Sequence, residues 1–306
     1  MRLIVYNIRY GAGIGRRFHL PVPYSGYLKP TNGHFGKIVE FIKSVNPDIV
    51  GLIEVDFGSY RVDKFNQAET IARELNHQVA CKSKYAEASM ARKVPVLNKQ
   101  GNAILTGLPI VARRYHFFNE GVKRLVIEVE LQEVTVFLVH LSLKFRHRQY
   151  QLNDLHALIA GCDKPVIVAG DFNALWGDRE LQLFLAASGL TSANVKSQSS
   201  YPSRNPHREL DYIFHSPEIR STAFQVPKIK LSDHVPLVWD FEIDSPKTEE
   251  IVLGYTPAVI RSPGLSAPLT ASVGREKKEE KKGNEKEMEG KGKKKEEKKG
   301  NEKEME

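Results

Sequence analysis

Short apolar runs of strand length recur along the first four fifths of the chain and alternate with segments of helical spacing. The runs predict strands at residues 3–8, 48–53, 103–105, 124–131, 134–140, 165–169, 211–214 and 235–241. Apolar residues three and four positions apart predict four helices, with stripes at Phe35, Ile38, Val39, Ile42 and Val45; Ile71, Ala72 and Leu75; Leu152, Leu155 and Ile159; and Leu181, Phe184 and Leu185.

The spacing of two of these strands constrains the sheet. Only Gln132-Glu133 separates run 124–131 from run 134–140. A connection this short requires a tight antiparallel hairpin. The sheet is therefore mixed, which differs from the purely parallel sheet of a doubly wound fold.

The composition divides the chain into three parts. Residues 1–244 are mixed apolar and polar sequence without a Pro/Gly/Ser-rich interruption, and they are long enough for one full core. Residues 245–274 carry four prolines among Ser, Thr and Ala, as is typical of a disordered linker. From residue 275 to 306 almost every residue is Lys, Glu or Gly, and Lys277–Glu289 repeats without change as Lys294–Glu306.

The repeat tail has too few apolar residues to form a core. Its apolar side chains are Met288 and Met305, so burial cannot offset the loss of chain entropy, and we expect disorder. An electrostatic arm for an acidic polymer and a solvated extension both fit this composition. The tail holds 13 basic and 11 acidic residues, and this near neutrality favours the solvated extension.

Charge, cysteines and hydropathy limit the function classes. The whole chain has a formal net charge of +8, which suits an anionic substrate but does not choose among DNA, RNA and a phosphorylated small molecule. The two cysteines, Cys81 and Cys162, lie far apart without CxxC spacing, so neither a disulfide framework nor a thiolate zinc site is indicated. The apolar runs are too short to span a membrane, and no signal-peptide pattern is present. We expect a cytoplasmic protein, with a monomer favoured.

Residues able to perform chemistry follow or precede the predicted strands. Ser232-Asp233-His234 comes directly before an apolar run, and Gly170-Asp171-Phe172-Asn173 follows another. Each alone is as typical of a solvated turn as of a site. Further polar residues stand at other strand ends, namely Asn7, Glu54, His140 and Asp211. Several such endings in one chain predict one site.

This order of motifs resembles the endonuclease/exonuclease/phosphatase superfamily, also called the pancreatic-deoxyribonuclease-like family. The likeness covers roughly residues 1–244 and includes six motifs in family order. It implies a four-layer α/β sandwich, in which two mixed β-sheets pack face to face with helices outside. It also implies metal-dependent hydrolysis of phosphoester bonds, at a site on one rim formed by strand ends and loops.

The resemblance assigns the metal ligands. Glu54 is expected as the principal ligand, Asn7 at the metal or a phosphate oxygen, and Asp233 on the metal side. Mg²⁺ is expected because it prefers hard oxygen ligands and binds through one or two carboxylates plus the substrate phosphate. Mn²⁺ is the expected functional substitute.

The resemblance also assigns catalytic roles. Asp171 would orient or deprotonate the attacking water, and Asn173 would donate from its amide to the phosphate. His234, held by Asp211, would lie against the scissile phosphate, and His140 would donate to a phosphoryl oxygen or the leaving group. A histidine at position 140 argues against abasic-site repair endonucleases, which typically carry a Tyr–Asn arrangement in that region.

Substrate contacts are expected in loops. The segment 11–34 is glycine-rich at its start and could fold over the site as a lid, although an ordinary surface loop is an equal alternative. Its glycines lack the G-x-G-x-x-G spacing of a dinucleotide site. The candidate phosphate contacts are Arg16, Arg17, Asn102, Lys144, Arg146 and Arg208.

The sequence therefore predicts an Mg²⁺-dependent phosphodiesterase or phosphatase whose substrate is a phosphorylated small molecule, a lipid headgroup or a nucleic acid. A DNA or RNA nuclease is the alternative within enzymes. A binding module without turnover is the alternative from another class, which the full set of candidate catalytic residues disfavours.

Overall fold

A computed structural model of the chain describes residues 1–15, 30–85 and 90–244. The α-helices within these residues are α1 (Phe35–Val45), α2 (Gln67–Leu75), α3 (Phe145–Ala160) and α4 (Gln182–Ser188). The strands are β1 (Arg2–Asn7), β2 (Ile49–Asp56), β3 (Gln78–Ser83), β4 (Gln100–Thr106), β5 (Ala112–Phe117), β6 (Leu125–Glu130), β7 (Thr135–His140), β8 (Val166–Asp171), β9 (Thr191–Ser192), β10 (Asp211–His215), β11 (Ile219–Gln225) and β12 (Leu237–Ile243). The predicted linker and repeat tail, residues 245–306, lie outside the described residues and stay predictions.

The strands form two mixed sheets of six. The first has the order β11-β12-β1-β2-β4-β3, and the second has the order β5-β6-β7-β8-β10-β9. β1 and β2 pair in parallel, as do β7 and β8, whereas the other neighbours are antiparallel. The predicted hairpin of β6 and β7 is confirmed, and its turn closes where the Leu131 amide donates to the Val134 carbonyl at 2.9 Å.

Three apolar layers separate the helices and sheets, because the central strands bury both of their faces. In β1, Leu3 and Val5 belong to the cluster between the sheets, while Ile4 and Tyr6 face the helix-covered side. Helices α1 and α2 cover the outer face of the first sheet, and α3 and α4 cover that of the second. The architecture is the predicted four-layer α/β sandwich. No helix in the described part of the chain is both long and apolar enough to cross a bilayer.

The apolar runs located the eight inner strands and missed β3, β5, β9 and β11. These four are the edge strands of the two sheets. An edge strand has only one neighbour and keeps exposed positions, as the half-exposed pattern of β5 illustrates. Such strands carry no continuous apolar run, so a search for buried runs passes over them.

Gly170 permits the close pairing of β7 and β8. Its φ is 147°, and a Cβ built there would lie 2.0 Å from the Val139 carbonyl oxygen. Backbone cannot give way as a flexible side-chain end can, so only glycine fits at this position, which directly precedes Asp171.

We expect Gly170→Ala to lower the free energy of unfolding by more than about 2 kcal/mol, because the strand pairing must open to admit the methyl group. Urea denaturation followed by far-UV circular dichroism measures this change. The matched control is Gly36→Ala in α1, where no atom lies within 4 Å of the added Cβ. That control should be neutral or stabilising by up to about 1 kcal/mol. Equal stability of the two variants would contradict the steric explanation.

Candidate active site

The register of the second sheet aligns three of the predicted catalytic residues. His140 at the end of β7 is paired with Asp171 at the end of β8, and Asp171 is paired with Asp211 at the start of β10. The three therefore stand in one row across neighbouring strands at a single sheet edge. Each is at most 3% exposed.

The first sheet contributes Asn7 and Glu54 to the same region. Asn7 ends β1, and Glu54 lies in β2 where the pairing with β4 shifts register between Leu52 and Val55. At this bulge Glu54 has a φ of 55°, and its amide donates to the Asn102 side-chain oxygen at 3.3 Å. Bulges commonly re-aim a side chain beside an active site, and here Glu54 lines the cleft.

Asn102 supports this bulge through its hydrogen bond with the Glu54 amide. Its side chain is 2% exposed, and it is absent from the described residues that line the cleft. The contact of Asn102 with a substrate phosphate stays a prediction. In the structure its side-chain oxygen holds the backbone amide of Glu54.

Asp171 is the centre of the side-chain network. Its Oδ1 accepts from the Asn173 amide at 3.0 Å, and its Oδ2 accepts from the Asn7 side-chain amide at 3.1 Å. The same Oδ2 lies 3.3 Å from His140 Nε2 and 3.9 Å from His234 Nε2. Burial alone would raise the pKa of this carboxyl, but the nearby His140, His234 and Lys123 outweigh it and hold the pKa below its ordinary range. Asp171 is therefore ionised.

His234 is held as a cation by carboxylates. Its Nδ1 donates to Asp211 Oδ2 at 2.7 Å, and the Ser200 hydroxyl donates to the same oxygen at 2.6 Å. Burial lowers the pKa of His234, but the negative charges of Asp211, Asp171 and Asp233 exceed that effect and raise the pKa to about 10. His234 thus carries a positive charge at neutral pH.

The pKa of His140 shifts the other way. Burial lowers it, and the neighbouring Lys123 ammonium lowers it further, against the negative charge of Asp171. His140 Nε2 is in hydrogen-bond contact with the Lys123 Nζ and also lies 3.3 Å from Asp171 Oδ2. The ring therefore lies between a cation and an anion. Lys123 belongs to no recognisable sequence motif and was not among the predicted site residues.

Asp233 and Asn7 are joined through Arg9. The Arg9 guanidinium lies 3.5 Å from Asp233 Oδ2, while its backbone amide donates to the Asn7 side-chain oxygen at 3.1 Å. The Asp233 carbonyl accepts from the Ser203 amide at 2.7 Å, which fixes the turn before His234. Asp233 and Asn7 both line the cleft.

The cleft that these residues line has a volume of about 440 Å³. The residues of its wall are Asn7, Tyr10, Glu54, Lys84, Tyr85, Leu97, Gln100, Lys123, Leu143, Asp171, Asn173, Leu175, Tyr201, Arg208, Leu210, Asp233 and His234. The tyrosines and lysines of this wall were not among the predicted site residues. Lys84 Nζ donates to the Tyr10 hydroxyl at 2.8 Å, and burial lowers the pKa of Lys84 to about 8. Only spatial proximity identifies these residues, since none belongs to a recognisable motif.

Two groups of side chains are chemically able to hold a metal ion. Ligand atoms of Asp171, Asp211 and His234 lie within 4.8 Å of one another. That group is a poor site, because His234 Nδ1 and Asp211 Oδ2 bind each other and a protonated imidazole cannot ligate. Asn7, Glu54 and Asp233 instead line the cleft and carry side-chain oxygens, the ligand type that a hard divalent cation prefers.

The other predicted substrate contacts divide by position. Arg208 lines the cleft, whereas Lys144 and Arg146 are exposed and stand apart from the described cleft wall. Arg16 and Arg17 lie outside the described residues, as does most of the expected lid. Asn173 lines the cleft, and its side-chain amide also donates to the Leu141 carbonyl at 2.9 Å.

We expect Asp211→Asn to bring the pKa of His234 from about 10 toward its ordinary 6.5, because the substitution removes the nearest negative charge. NMR titration of the imidazole in metal-free buffer measures this change.

The raised pKa of His234 also makes stability depend on pH. It stabilises the folded state fully below about pH 6.5 and less as the pH rises through about 10, so the wild type should lose stability over that range. The variant should lack this loss. Asp178→Asn, an exposed acid, is the control, and an unchanged His234 pKa in Asp211→Asn would contradict the assignment.

Comparison with known proteins identifies relatives of this chain. The YbhP protein of Escherichia coli K12, which is uncharacterized, is 26% identical over 259 residues, covering 77% of this chain and 94% of YbhP. The human Nocturnin catalytic domain with bound sulfate shares the fold at a TM-score of 0.57 and 22% identity, covering 79% of this chain and 94% of that one. A mannosyl-6-phosphatase of Bacteroides thetaiotaomicron VPI-5482 does so at a TM-score of 0.57 and 15% identity, covering 79% and 100%. The model of the Endonuclease/Exonuclease/phosphatase family matches residues 4–234, and the chain belongs to that family.

Proposed function

We propose that this protein is an Mg²⁺-dependent hydrolase of phosphoester bonds, with residues 1–244 as its catalytic part. One observation carries the proposal. A cationic His234 and an ionised Asp171 face one cleft, together with three oxygen-bearing side chains suited to a hard cation. Family membership supports the same reaction class. The related mannosyl-6-phosphatase acts on a phosphate ester, and the sulfate bound to Nocturnin is a tetrahedral oxyanion like phosphate.

Glu54, Asp233 and Asn7 would hold the metal ion. When bound, Mg²⁺ would neutralise charge on the phosphoryl oxygens and favour deprotonation of water. Arg9 restrains two of these ligands, since it contacts both the Asp233 carboxylate and the Asn7 side chain. Two of the three donors are therefore restrained before any ion arrives, which limits reorganisation on binding.

Asp171 would orient the attacking water. Its low pKa keeps it ionised, and a carboxylate accepts a hydrogen bond from water, but the same low pKa makes it a weak base, so orientation suits it better than full proton abstraction. Asn7 and Asn173 fix its two oxygens from opposite sheets. The new bond forms between the water oxygen and phosphorus, the ester P–O bond in line with it breaks, and the proton that the water loses passes along the Asp171 carboxylate to solvent.

Positive groups would stabilise the charge that develops on phosphate. His234 carries a proton at Nε2 and can donate it to a phosphoryl oxygen, while Asp211 keeps the ring charged through Nδ1. Lys123 and His140 form a second donor pair, in which the ammonium supplies the charge and the proton for a departing alkoxide. Donors already placed for charge that appears only in the transition state lower the barrier.

With Mg²⁺ present, we expect the protein to release nitrophenol from bis-p-nitrophenyl phosphate. Asp171→Asn and His234→Ala should each lower kcat by about 10²–10⁴-fold, because each removes a group that contacts the reacting atoms. A continuous absorbance assay of nitrophenolate release measures this loss. Asp178→Asn, an exposed acid near the cleft, serves as the control and should keep wild-type activity.

Inert wild-type protein on this diester, on p-nitrophenyl phosphate and on plasmid DNA would overturn the proposal in favour of a binding module. Cleavage of plasmid DNA with inert small esters would instead identify a nuclease. Activity that survives both substitutions would show that the catalytic groups lie elsewhere.

Glu54→Gln tests the metal assignment separately. Replacing the carboxylate with a neutral amide weakens attraction to a divalent cation, so the Mg²⁺ concentration for half-maximal turnover should rise by about tenfold or more. Mn²⁺ should recover part of the activity, since it accepts nitrogen and amide ligands more readily. Titration of turnover against each ion measures the effect, and EDTA should abolish wild-type activity. An unchanged Mg²⁺ requirement in Glu54→Gln would exclude Glu54 as a ligand.

A further inference from the structure

Three loops at the mouth of the cleft expose large apolar side chains. The apolar rim comprises Val122, Leu143, Phe145, Leu175 and Trp176, which are 73%, 58%, 52%, 38% and 78% exposed. Leu143 and Leu175 also line the cleft, so the rim is continuous with the proposed active site. Single exposed apolar residues are ordinary on a protein surface, but a group of five around one cleft indicates a binding surface.

Arg148 of α3 fastens two of these loops. It is completely buried, and its guanidinium donates to the Ser142 and Leu143 carbonyls at 2.8 and 3.0 Å. It also donates to the Glu180 carboxylate, whose other oxygen accepts from the Trp176 amide at 2.7 Å. One buried ion pair therefore sets the backbone on both sides of the cleft mouth.

Gln151, one turn further along α3, fastens the third loop. Its side-chain amide donates to the Glu120 and Lys123 carbonyls at 2.8 Å each, and its oxygen accepts from the Ser142 amide at 2.9 Å. The three loops are thus tied to one helix face by fully buried polar groups. These buried hydrogen bonds fix the loop backbones and so hold the rim side chains in their exposed positions.

The charges around the rim are mostly positive. Basic and apolar residues alternate in Leu143-Lys144-Phe145-Arg146, and Lys123 and Arg179 add positive charge, against the acids Glu120 and Asp178. Aromatic and aliphatic side chains interleaved with basic ones are typical of surfaces that enter the headgroup region of an anionic bilayer. Phe145 and Trp176 could stack on bases, but Val122, Leu143 and Leu175 offer no flat face, so the aliphatic majority of the rim favours a bilayer over a single-stranded nucleic acid.

We propose that the apolar rim docks this protein onto a bilayer that contains anionic phospholipid and thereby brings a lipid headgroup phosphate to the cleft. The docking stands on the rim alone. The assignment of a headgroup phosphoester as substrate also rests on the proposed function.

The two tryptophans of the chain allow a direct test. Trp239 is completely buried and donates to the Ser221 hydroxyl at 2.8 Å, so a change of tryptophan emission on adding vesicles reports Trp176. The full-length protein is mixed with vesicles of phosphatidylcholine and phosphatidylglycerol in EDTA, which prevents turnover. We expect a blue shift of emission and sedimentation with the vesicles.

Trp176→Ser should weaken partitioning into vesicles by about tenfold and remove the blue shift, because the indole supplies a large apolar area that the bilayer would bury. Val122→Ser should weaken partitioning less. The matched control is Val111→Ser, which is 61% exposed beside the end of β6 that faces away from the site, and it should bind vesicles as the wild type does. All three variants should hydrolyse bis-p-nitrophenyl phosphate at the wild-type rate.

Absence of vesicle binding by the wild type, or equal binding by Trp176→Ser, would overturn the docking. A response of Trp176 to single-stranded RNA but not to vesicles would identify a nucleic-acid partner and overturn it too. The two proposals fail separately. Vesicle binding without diester turnover leaves the docking intact and removes the proposed function, and turnover without vesicle binding does the reverse.

Discussion

The buried negative charge of Asp171 is the constraint around which the two sheets are arranged. A carboxylate removed from water is very unfavourable unless hydrogen bonds and opposite charges replace the solvent. Here an amide side chain comes from the first sheet, and a backbone amide and two imidazoles come from the second sheet and the turn before β12. Removing any one of them leaves a buried charge less well compensated. The groups that stabilise the carboxylate are also those that would handle a phosphate.

This arrangement depends on exact strand register. His140, Asp171 and Asp211 are neighbours only because β7, β8 and β10 pair as they do, and a slip of one residue would turn each side chain to the opposite face. Gly170 allows β7 and β8 to approach beside Asp171, and the bulge in β2 turns Glu54 toward the cleft. Local backbone features therefore place the chemistry that the long-range pairing brings together.

The sequence predicted the inner part of the fold and the residues at its strand ends, because burial on both faces leaves a readable apolar run. The four edge strands escaped because half of their positions meet solvent. Among site residues, Asp171 and His234 stood in short motifs and were predicted. Lys123, Tyr10 and Ser200 stood in none, and only the folded chain brings them to the cleft or to Asp211. The hydrogen bond between Asn102 and the Glu54 amide was not predicted, because the motif does not show which way the Asn102 side chain turns. The opposite pKa shifts of the two histidines also depend on neighbours distant in sequence.

The buried pair of polar residues on α3 separates two kinds of variation. Apart from the Phe145 ring, over which the Arg148 guanidinium lies at 6.0 Å, Arg148 and Gln151 bind backbone carbonyls, backbone amides, one buried acid and one hydroxyl. They therefore hold the shape of the three loops largely through the backbone. Substitutions at the loop tips would then change what the cleft mouth recognises without disturbing the catalytic row beneath it. Recognition and chemistry are in this sense structurally separable, and exchange of the loop-tip side chains could replace one ligand by another while the proposed hydrolytic residues stayed the same.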